Sequence, residues 1–421
     1  MFGLRRFGIK LGLDTIRSIL DGMGHPQDRF NCIHVAGTNG KGSIASALST
    51  ILYKSGYRVG LYTSPHLVRF NERICMDNRP ITDDLVVDAY LAVKRAHHGD
   101  REPTFFEFST AMALWIFARQ QADWAVIETG MGGRLDATNV IPPKLSVITN
   151  ISLEHREYLG NTLYRIAGEK GGIIKKGVPV ITGVKQKPAV RAITEIAAAE
   201  SAPLYRLGRD FRVRRNNDKT FSYFGLDGSL KNLTTGLMGN HQIDNSALVL
   251  AACEILAHGH ADISPDTVKM GVEQNKWPGR LETVWEKPLT LLDGAHNLDS
   301  AKNLARHFSE HLAGRKITLV IGILSDKPYE TILKLLLPFC SKVVLTSPKI
   351  DRALPAETLL QHAEKIVSDA RIIPDVGNAV LETIDAASPD DVICVAGSLY
   401  VVGEAKEALE KRGVPSFVLN A

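Results

Sequence analysis

One stretch decides the fold class of this chain: Val35-Ala36-Gly37-Thr38-Asn39-Gly40-Lys41-Gly42-Ser43. The apolar run 31–36 predicts a short buried strand, and residues 44–54 predict a helix behind the glycines. Glycines at such a junction let backbone N–H groups approach phosphate oxygens, and the helix N-terminus adds partial positive charge. Lys41 is therefore predicted to contact a phosphate, and the Ser43 hydroxyl to reach Mg²⁺.

This loop departs in one place from the common phosphate-loop pattern G-x-x-x-x-G-K-[ST], because Gly42 separates Lys41 from Ser43. A plain glycine-rich turn between a strand and a helix is the alternative interpretation. A lysine, a hydroxyl and a strand-to-helix position coincide here, which favours nucleotide binding.

The first 276 residues alternate apolar runs with amphipathic segments, which predicts an α/β domain built on a parallel sheet. Further strands are predicted at 59–63, 124–129, 145–151 and 178–182, and an apolar helix at 247–256. Residues 205–233 are polar and rich in turn sequences, which indicates a small antiparallel insertion. We therefore predict a P-loop-type ATP-binding domain over residues 1–276.

A domain boundary is predicted near Trp277-Pro278-Gly279-Arg280, where a new series of strands begins. These strands are predicted at 289–293, 317–324, 343–347 and 392–396, with helical stretches between them. The same alternation predicts a smaller Rossmann-like α/β domain over residues 277–421.

Composition narrows the class of protein. The 421 residues, 44% hydrophobic and 23% charged, suit a two-domain globular protein. The net charge of +4 does not indicate nucleic-acid binding, and no apolar run is long enough to span a membrane. The five cysteines are scattered without a C-x-x-C pair, so neither a zinc site nor a disulfide framework is indicated, and a cytoplasmic monomer is expected.

Several further segments accompany the loop in a fixed order. They are Ser64-Pro65-His66-Leu67, Arg69-Phe70-Asn71-Glu72-Arg73-Ile74, Phe105-Phe106-Glu107-Phe108, the run 128–139 (ETGMGGRLDATN), Glu169-Lys170, Pro278-Gly279-Arg280-Leu281-Glu282 and Leu292-Asp293-Gly294-Ala295-His296-Asn297. With the loop, these segments resemble the family of folylpolyglutamate synthases and bifunctional dihydrofolate synthase/folylpolyglutamate synthases, within the Mur ligase superfamily. The resemblance extends from about Gly8 to Tyr400.

The resemblance implies an ATP-dependent ligase that adds L-glutamate to dihydropteroate or to a reduced folyl-glutamate through an acyl phosphate. Two alternatives remain: another Mur-type ligase acting on a cell-wall nucleotide precursor, and a non-catalytic nucleotide-binding module. The early phosphate loop argues against the first, since such ligases usually carry a dedicated N-terminal substrate domain. Departures from the family include Glu154, Gly171 and Leu298, where aspartate, alanine and proline are common; the chain is also expected to begin late relative to its relatives.

The resemblance also implies an ATP site shared between the two domains. The implied residues are Thr38, Asn39, Gly40, Lys41, Gly42, Ser43, Asn245, Arg280, Asp293 and His296. Arginine suits a phosphate clamp because its guanidinium offers a planar fork of donors. Asn245 has an alternative role as the cap of a helix start.

Two Mg²⁺ ions are implied as cofactors, together with ATP. The implied ligands are Ser43, Ser64, Glu128, His155 and Lys170. Glu128 ends a predicted strand, the place where ligands lie in open α/β sheets. The alternatives are a turn cap for Glu128, a turn residue for Ser64 and an ordinary surface histidine for His155.

Lys41, His155 and Lys170 are the catalytic candidates. In the family, the lysine that corresponds to Lys170 is carbamylated, which turns a cation into an anion able to hold Mg²⁺. Apolar neighbours on its predicted helix favour burial, and an unmodified, solvated lysine is the alternative.

The pterin-type substrate is implied to contact Lys10, Leu11, Gly12, Phe106, Leu135 and Asp136. An aromatic ring such as that of Phe106 packs well against a flat heterocycle. Phe106 is equally consistent with a place in the hydrophobic core.

Overall fold

The structure is a computed structural model that describes residues 12–99, 101–216 and 220–414. Its strands form sheets of eight, three and six members. The strands are β1 Asn31–Ala36, β2 Val59–Tyr62, β3 Ile74–Met76, β4 Arg79–Pro80, β5 Trp124–Glu128, β6 Pro143–Ile148, β7 Val180–Thr182, β8 Leu204–Arg206, β9 Arg212–Arg215, β10 Phe221–Phe224, β11 Ser229–Leu233, β12 Glu282–Glu286, β13 Leu289–Leu292, β14 Ile317–Ile321, β15 Lys342–Leu345, β16 Ala370–Ile372 and β17 Val392–Ala396.

Helices cover both faces of the two larger sheets. They are α1 Asp14–Gly22, α2 Lys41–Lys54, α3 Asp83–Ala96, α4 Phe105–Arg119, α5 Arg156–Leu159, α6 Leu163–Gly171, α7 Lys187–Ala199, α8 Asn240–Ala257, α9 Pro265–Glu273, α10 Leu298–His311, α11 Tyr329–Leu336, α12 Ala356–Ala363, α13 Val376–Ala386 and α14 Leu399–Lys411. Four short 3₁₀ segments, at Pro26–Asp28, Phe70–Arg73, Ala137–Val140 and Leu337–Phe339, complete the described elements. Within the described ranges, no helix is long and apolar enough to cross a membrane.

The eight-stranded sheet has the order β4-β3-β2-β5-β1-β6-β7-β8. In this spatial order, every neighbouring pair from β2 across to β8 is parallel. The strands β3 and β4 lie on the other side of β2 and form an antiparallel edge. Register pairs Val35 with Glu128 and Ala36 with Ile148, so β1, β5 and β6 end at the same edge. Residues that follow these three strands therefore meet above the sheet.

The six-stranded sheet has the order β12-β13-β17-β14-β15-β16. Its neighbours are parallel except for β12, which pairs with β13 in antiparallel fashion. The sheet has its own apolar core, to which β14, β15 and β17 contribute fully buried side chains such as Leu319, Val343 and Cys394. The predicted α/β fold with a second Rossmann-like sheet is thus confirmed.

The polar stretch 205–233 is only partly an insertion. Leu204–Arg206 is β8, a parallel edge strand of the eight-stranded sheet. The strands β9, β10 and β11 do form a separate antiparallel sheet, which covers α8 with the buried rings of Phe221 and Tyr223. The prediction was wrong for the first residues because a three-residue edge strand leaves too short a pattern to recognise.

Two predicted bounds were also wrong near the site. The strand predicted at 145–151 ends at Ile148, so His155 lies in a loop well beyond it. The helix predicted from 247 begins at Asn240. Asn245 therefore lies inside α8, which rules out a role as its start cap.

Candidate active site

The phosphate loop is fastened to the end of β6. The amide N–H groups of Thr38 and Asn39 donate to the main-chain and side-chain oxygens of Asn150, both at 2.9 Å. The Thr149 hydroxyl donates to the Asn39 carbonyl at 2.6 Å. Gly37 has a φ of 150°, and a Cβ there would lie 1.9 Å from the Thr149 hydroxyl oxygen, so glycine is required.

Lys41, the first residue of α2, faces the buried carboxylate of Glu128. Its Nζ lies 3.8 Å from Glu128 Oε1 and donates to the Thr38 carbonyl at 3.3 Å. The Ser64 N–H donates to Glu128 Oε2 at 3.2 Å. Burial raises the pKa of Glu128, while Lys41 and the Ser64 N–H oppose the rise. The three predicted residues are therefore brought together at the ends of β2 and β5.

Lys170 on α6 is only 4% exposed, so a solvated lysine is ruled out. Its Nζ donates to the Gly37 carbonyl at 2.8 Å, which places the amine directly beneath the phosphate loop. Burial, and then the charge of Lys41, lower the pKa of Lys170 to about 7. A large share of this amine is therefore neutral near pH 7.

His155 caps the start of the one-turn helix α5 with a left-handed φ of 51°. Its imidazole is within electrostatic reach of Lys41, Lys170 and the neighbouring Glu154. The backbone thus brings His155 to the same cluster as the two lysines, although its side chain stays exposed.

Glu154 connects the first sheet to the second. Its Oε1 lies 3.3 Å from both His296 Nε2 and Lys327 Nζ. Burial alone would raise the pKa of Glu154, but His296 and Lys327 hold it below its ordinary value. A side chain noted in the sequence only as a departure from the family therefore bridges the cleft.

The second sheet contributes Arg280, Asp293 and His296 to the same cleft. The Asp293 carboxylate accepts from the N–H groups of Leu281 and Ala295, both at 2.9 Å, and this fixes its position at the end of β13. Burial raises the pKa of Asp293, and Arg280 opposes the rise. Nδ1 of His296 lies 2.7 Å from the Gly294 carbonyl.

Asn245 packs against the phosphate loop at Gly40, where a Cβ would lie 2.8 Å from its Oδ1. Its Nδ2 donates to Gln242 Oε1 at 2.8 Å, and Gln242 Nε2 lies 3.5 Å from the Ser43 hydroxyl. A cavity of about 50 Å³ separates Gly40, Ser43 and Gln242 from Arg280 and Asp293. Part of the predicted ATP site on each sheet therefore faces the other across one small space.

A larger cavity of about 390 Å³ opens beside it, between the two sheets. Its walls include Gly42, Ser64, Glu128, Trp277 and Arg280. The Trp277 ring lies so close to Gly42 that a Cβ there would be 2.7 Å from Nε1. This contact accounts for the glycine that departs from the common loop pattern.

The predicted substrate residues cluster around the turn after β5. The Phe106 ring lies against Gly130, where a Cβ would be 2.5 Å from Cζ. The next N–H, that of Met131, donates to Asp136 Oδ2 at 2.8 Å. Leu135 is half-buried beside Asp136, and Phe106 also packs against core side chains. Gly12 lies ahead of α1, whereas Lys10 and Leu11 lie outside the described residues.

Three residues in the cleft were missed in the sequence. Lys327 follows β14, and Trp277 and Gln242 lie in contact with the phosphate loop and its helix. The charged segment Ser325-Asp326-Lys327 after an apolar strand was a usable indication for Lys327. Trp277 and Gln242 carried no local pattern, because their roles depend on contacts made across the fold.

Among the described residues, no group of three or more His, Cys, Asp or Glu side chains is arranged as a metal cluster. Mg²⁺ rarely uses such a cluster, since it is commonly held by one or two carboxylates, waters and substrate phosphates. The single buried carboxylate of Glu128, beside a phosphate loop, fits that mode of binding.

Two family matches define the class of protein as a Mur-type ligase. The Mur ligase middle domain matches residues 35–253, and the Mur ligase glutamate ligase domain matches residues 279–399. The chain therefore belongs to an ATP-dependent ligase family.

The particular family follows from full-length relatives. The chain is 35% identical to the dihydrofolate synthase/folylpolyglutamate synthase of Bacillus subtilis, over 97% of each protein. FolC of Escherichia coli in complex with DHPP and ADP is similar at a TM-score of 0.90 and 30% identity, covering 98% of this chain and 96% of that one. The Yersinia pestis bifunctional enzyme complexed with AMPPNP and Mn ion is similar at a TM-score of 0.87 and 30% identity, covering 97% and 96%. The chain belongs to the dihydrofolate synthase/folylpolyglutamate synthase family.

Proposed function

We propose that this protein joins L-glutamate to the carboxylate of dihydropteroate, of a reduced folyl-glutamate, or of both, in folate biosynthesis. One observation carries the proposal: Glu128 and Arg280 line a single cleft between the sheets, and Lys41 Nζ lies 3.8 Å from the Glu128 carboxylate. Family membership supplies the substrate class.

The reaction needs an activated carboxylate, because a carboxylate oxygen is a poor leaving group toward an amine. The acceptor carboxylate attacks the γ-phosphorus of ATP, an O–P bond forms, and ADP leaves. The glutamate amine then attacks the acyl carbon, the C–O bond breaks with its electron pair on phosphate, and the nitrogen loses a proton. Positioning and charge neutralisation are the tasks left to the protein.

In this proposal, ATP lies between the phosphate loop and the second sheet. Residues 38–43 surround the phosphates, with Lys41 beside the transferred group. Arg280 clamps the phosphates from the opposite side, and Asn245 lies near the base. Asp293 and His296 complete the site, supported by their places on the same small cavity.

Mg²⁺ would be held by Ser43, Ser64, Glu128, His155 and a carbamate on Lys170, with two ions in total. When bound, Mg²⁺ neutralises charge on the transferring phosphoryl group. Burial that raises the pKa of Glu128 supports this role, because a buried carboxylate gains from a neighbouring cation.

The carbamate forms when the neutral Lys170 amine attacks CO₂ and releases a proton. The lowered pKa of about 7 supports it, since only a neutral amine reacts. The hydrogen bond from Lys170 Nζ to the Gly37 carbonyl holds the amine nitrogen beneath the phosphate loop.

The acceptor would lie against Gly12, Phe106, Leu135 and Asp136; the resemblance also assigns Lys10 and Leu11, outside the described residues, to its binding. We further propose that the protein is a cytoplasmic monomer that binds small molecules rather than nucleic acid.

A single assay tests the function. The purified protein receives ATP, Mg²⁺ and labelled glutamate, with dihydropteroate and tetrahydrofolate offered separately and a cell-wall nucleotide precursor in parallel. We expect glutamate-dependent ADP release and a labelled product with one or both pterin acceptors. ADP release with the cell-wall precursor alone would overturn the proposal.

Carbamylation has its own test, which uses pH. The neutral amine of Lys170 is scarce below its pKa of about 7 and prevails above it, so ¹³CO₂ incorporation should rise between pH 6 and pH 8. The Lys170→Ala variant should lose the ¹³C signal and most activity, and short carboxylic acids should restore part of the activity. Full activity in Lys170→Ala, or no CO₂ dependence, would contradict the carbamate.

A further inference from the structure

A buried chain of hydrogen bonds runs from β1 to the carboxylate of Asp136. His34 lies in the middle of β1 and is 0% exposed. Its Nε2 is 2.8 Å from the Thr138 hydroxyl oxygen, which is 2.5 Å from Asp136 Oδ1. The strand that leads into the phosphate loop is thereby connected to the proposed acceptor pocket.

The direction of each bond in this chain is fixed. Burial raises the pKa of Asp136, but the Thr138 hydroxyl and the N–H groups of Met131 and Thr138 oppose the rise. The carboxylate accepts from these two N–H groups at 2.8 Å and 3.0 Å, so donors hold both of its oxygens and it acts as acceptor. The Thr138 hydroxyl has one proton, which it donates to Asp136. It must therefore accept from His34, and the proton of the imidazole lies on Nε2.

The other ring nitrogen agrees with this assignment. Burial, and then Lys175, lower the pKa of His34 to about 3, so the ring is neutral and carries one proton. Nδ1 is buried and has no hydrogen-bond partner among the described residues. A bare acceptor at Nδ1 is what the Nε2–H tautomer leaves behind.

A buried histidine with an unpartnered Nδ1 lowers the free energy of unfolding. A buried acceptor without a partner loses its bond to water and gains nothing in exchange. An apolar side chain of similar volume would suit the surrounding core better. The presence of histidine is thus explained by the proton that it donates rather than by packing.

The series of hydrogen bonds from His34 ends at Asp136, beside the proposed pterin contact. The Phe106 ring packs against Gly130, and the N–H of the next residue, Met131, donates to Asp136 Oδ2. Both carboxylate oxygens are therefore held in place on the turn that contacts the Phe106 ring.

We infer that His34 and Thr138 are positioning residues for the acceptor: through the chain His34–Thr138–Asp136 they orient the Asp136 carboxylate toward the pterin. The inference rests on the proposed role of Asp136 in substrate binding. It assigns no role to either residue in ATP binding or in glutamate binding.

Two variants break the chain and two preserve it. His34→Leu removes the donor at similar volume, and Thr138→Val removes the hydroxyl; His34→Gln and Thr138→Ser keep a donor and a hydroxyl. Cys32→Ala is the matched control, since Cys32 is also fully buried on β1. Among the described residues, its side chain hydrogen-bonds to the Phe30 carbonyl and takes no part in the His34–Thr138–Asp136 bonds. The measurements are Kd and KM for dihydropteroate, KM for ATP, kcat and the melting temperature.

We expect His34→Leu and Thr138→Val each to raise the Kd and KM for dihydropteroate by about three- to tenfold, the worth of one hydrogen bond. The KM for ATP should stay unchanged, and His34→Leu should melt no lower than Cys32→Ala. His34→Gln and Thr138→Ser should restore most acceptor binding. If His34→Leu does not fold, the pair Thr138→Val and Thr138→Ser decides the question.

The variant Asp136→Asn distinguishes the positioning role of His34 and Thr138 from the proposed substrate-binding role of Asp136. If it weakens dihydropteroate binding while His34→Leu and Thr138→Val do not, the positioning role is overturned and the proposed role of Asp136 stands. If Asp136→Asn leaves dihydropteroate binding unchanged, both are overturned. Equal rises in the KM for ATP and for dihydropteroate would indicate a general structural effect and overturn the positioning role.

Discussion

On the side of the eight-stranded sheet, the phosphate loop is one unbroken segment, residues 37–43, whose backbone is held by hydrogen bonds to Thr149 and Asn150 at the end of β6. The six-stranded sheet instead contributes Arg280, Asp293 and His296 from a linker, a strand end and a turn. The first half depends on local backbone geometry. The second half depends on how β13 and its neighbours are placed against the first sheet.

The two sides of the cleft should therefore respond differently to substitutions. The phosphate loop is supported by hydrogen bonds within its own sheet, through Thr149 and Asn150. The second-sheet side of the cleft is joined to the first sheet by contacts across it: Glu154 with His296 and Lys327, and Asn297 Nδ2 with Asn39 Oδ1 at 2.9 Å. Damage to the loop should remove chemistry, whereas damage to the cross-cleft contacts should loosen closure.

The largest effect is expected at the loop. Lys41→Ala should lower kcat by about 10²–10³, because in the proposed mechanism it removes a fixed charge beside the transferring phosphoryl group. Glutamate-dependent ADP release measures the loss, and circular dichroism should show an unchanged fold. Lys54→Ala, at the far end of the same helix, is the control and should keep full turnover. Near-normal turnover in Lys41→Ala would contradict the assignment of the chemistry to the phosphate-loop side of the cleft.

An intermediate effect is expected at the clamp. Arg280→Ala should lower kcat/KM for ATP by about ten- to a hundredfold, the worth of hydrogen bonds to a charged group. Circular dichroism should show a retained fold, because Arg280 donates only to the Gly279 carbonyl at 3.2 Å among the bonds found in the described structure. The melting temperature should fall modestly, since the buried Asp293 loses a nearby positive charge. Arg371→Ala, an exposed arginine of the same sheet, is the matched control. An equal loss in both variants would refute a specific clamp.

The smallest effect is expected at the bridge. Glu154→Gln removes the charge that Lys327 and His296 share, so kcat/KM should fall about two- to fivefold, as for a single ion pair. Small-angle scattering in the presence of ATP should detect a more open average arrangement. Glu157→Gln, an exposed neighbour on α5, should behave like the unaltered protein. A hundredfold loss in Glu154→Gln would instead assign Glu154 to the chemistry.

The fold class and the loop were readable from the sequence for a physical reason. Apolar runs such as 31–36 and 392–396 are long enough to identify buried parallel strands, and glycines at a strand-to-helix junction have few other uses. The short strand β8 was misassigned, and the start of α8 was placed late. Both errors fell where local patterns are brief or where polar residues at a helix start are buried by tertiary contacts, as Gln242 is.

By itself, the sequence determined the α/β class, the central strands of the two large sheets and the phosphate loop, because each depends on a few adjacent side chains and their spacing. The resemblance to a known family supplied most of the candidate site residues. The tertiary structure alone decided which candidates meet: Lys170 beneath Gly37, Trp277 against Gly42, Glu154 between His296 and Lys327, and His34 behind Asp136. These contacts join residues distant in the chain. Their geometry is set by the packing of whole strands and helices, which no local pattern encodes.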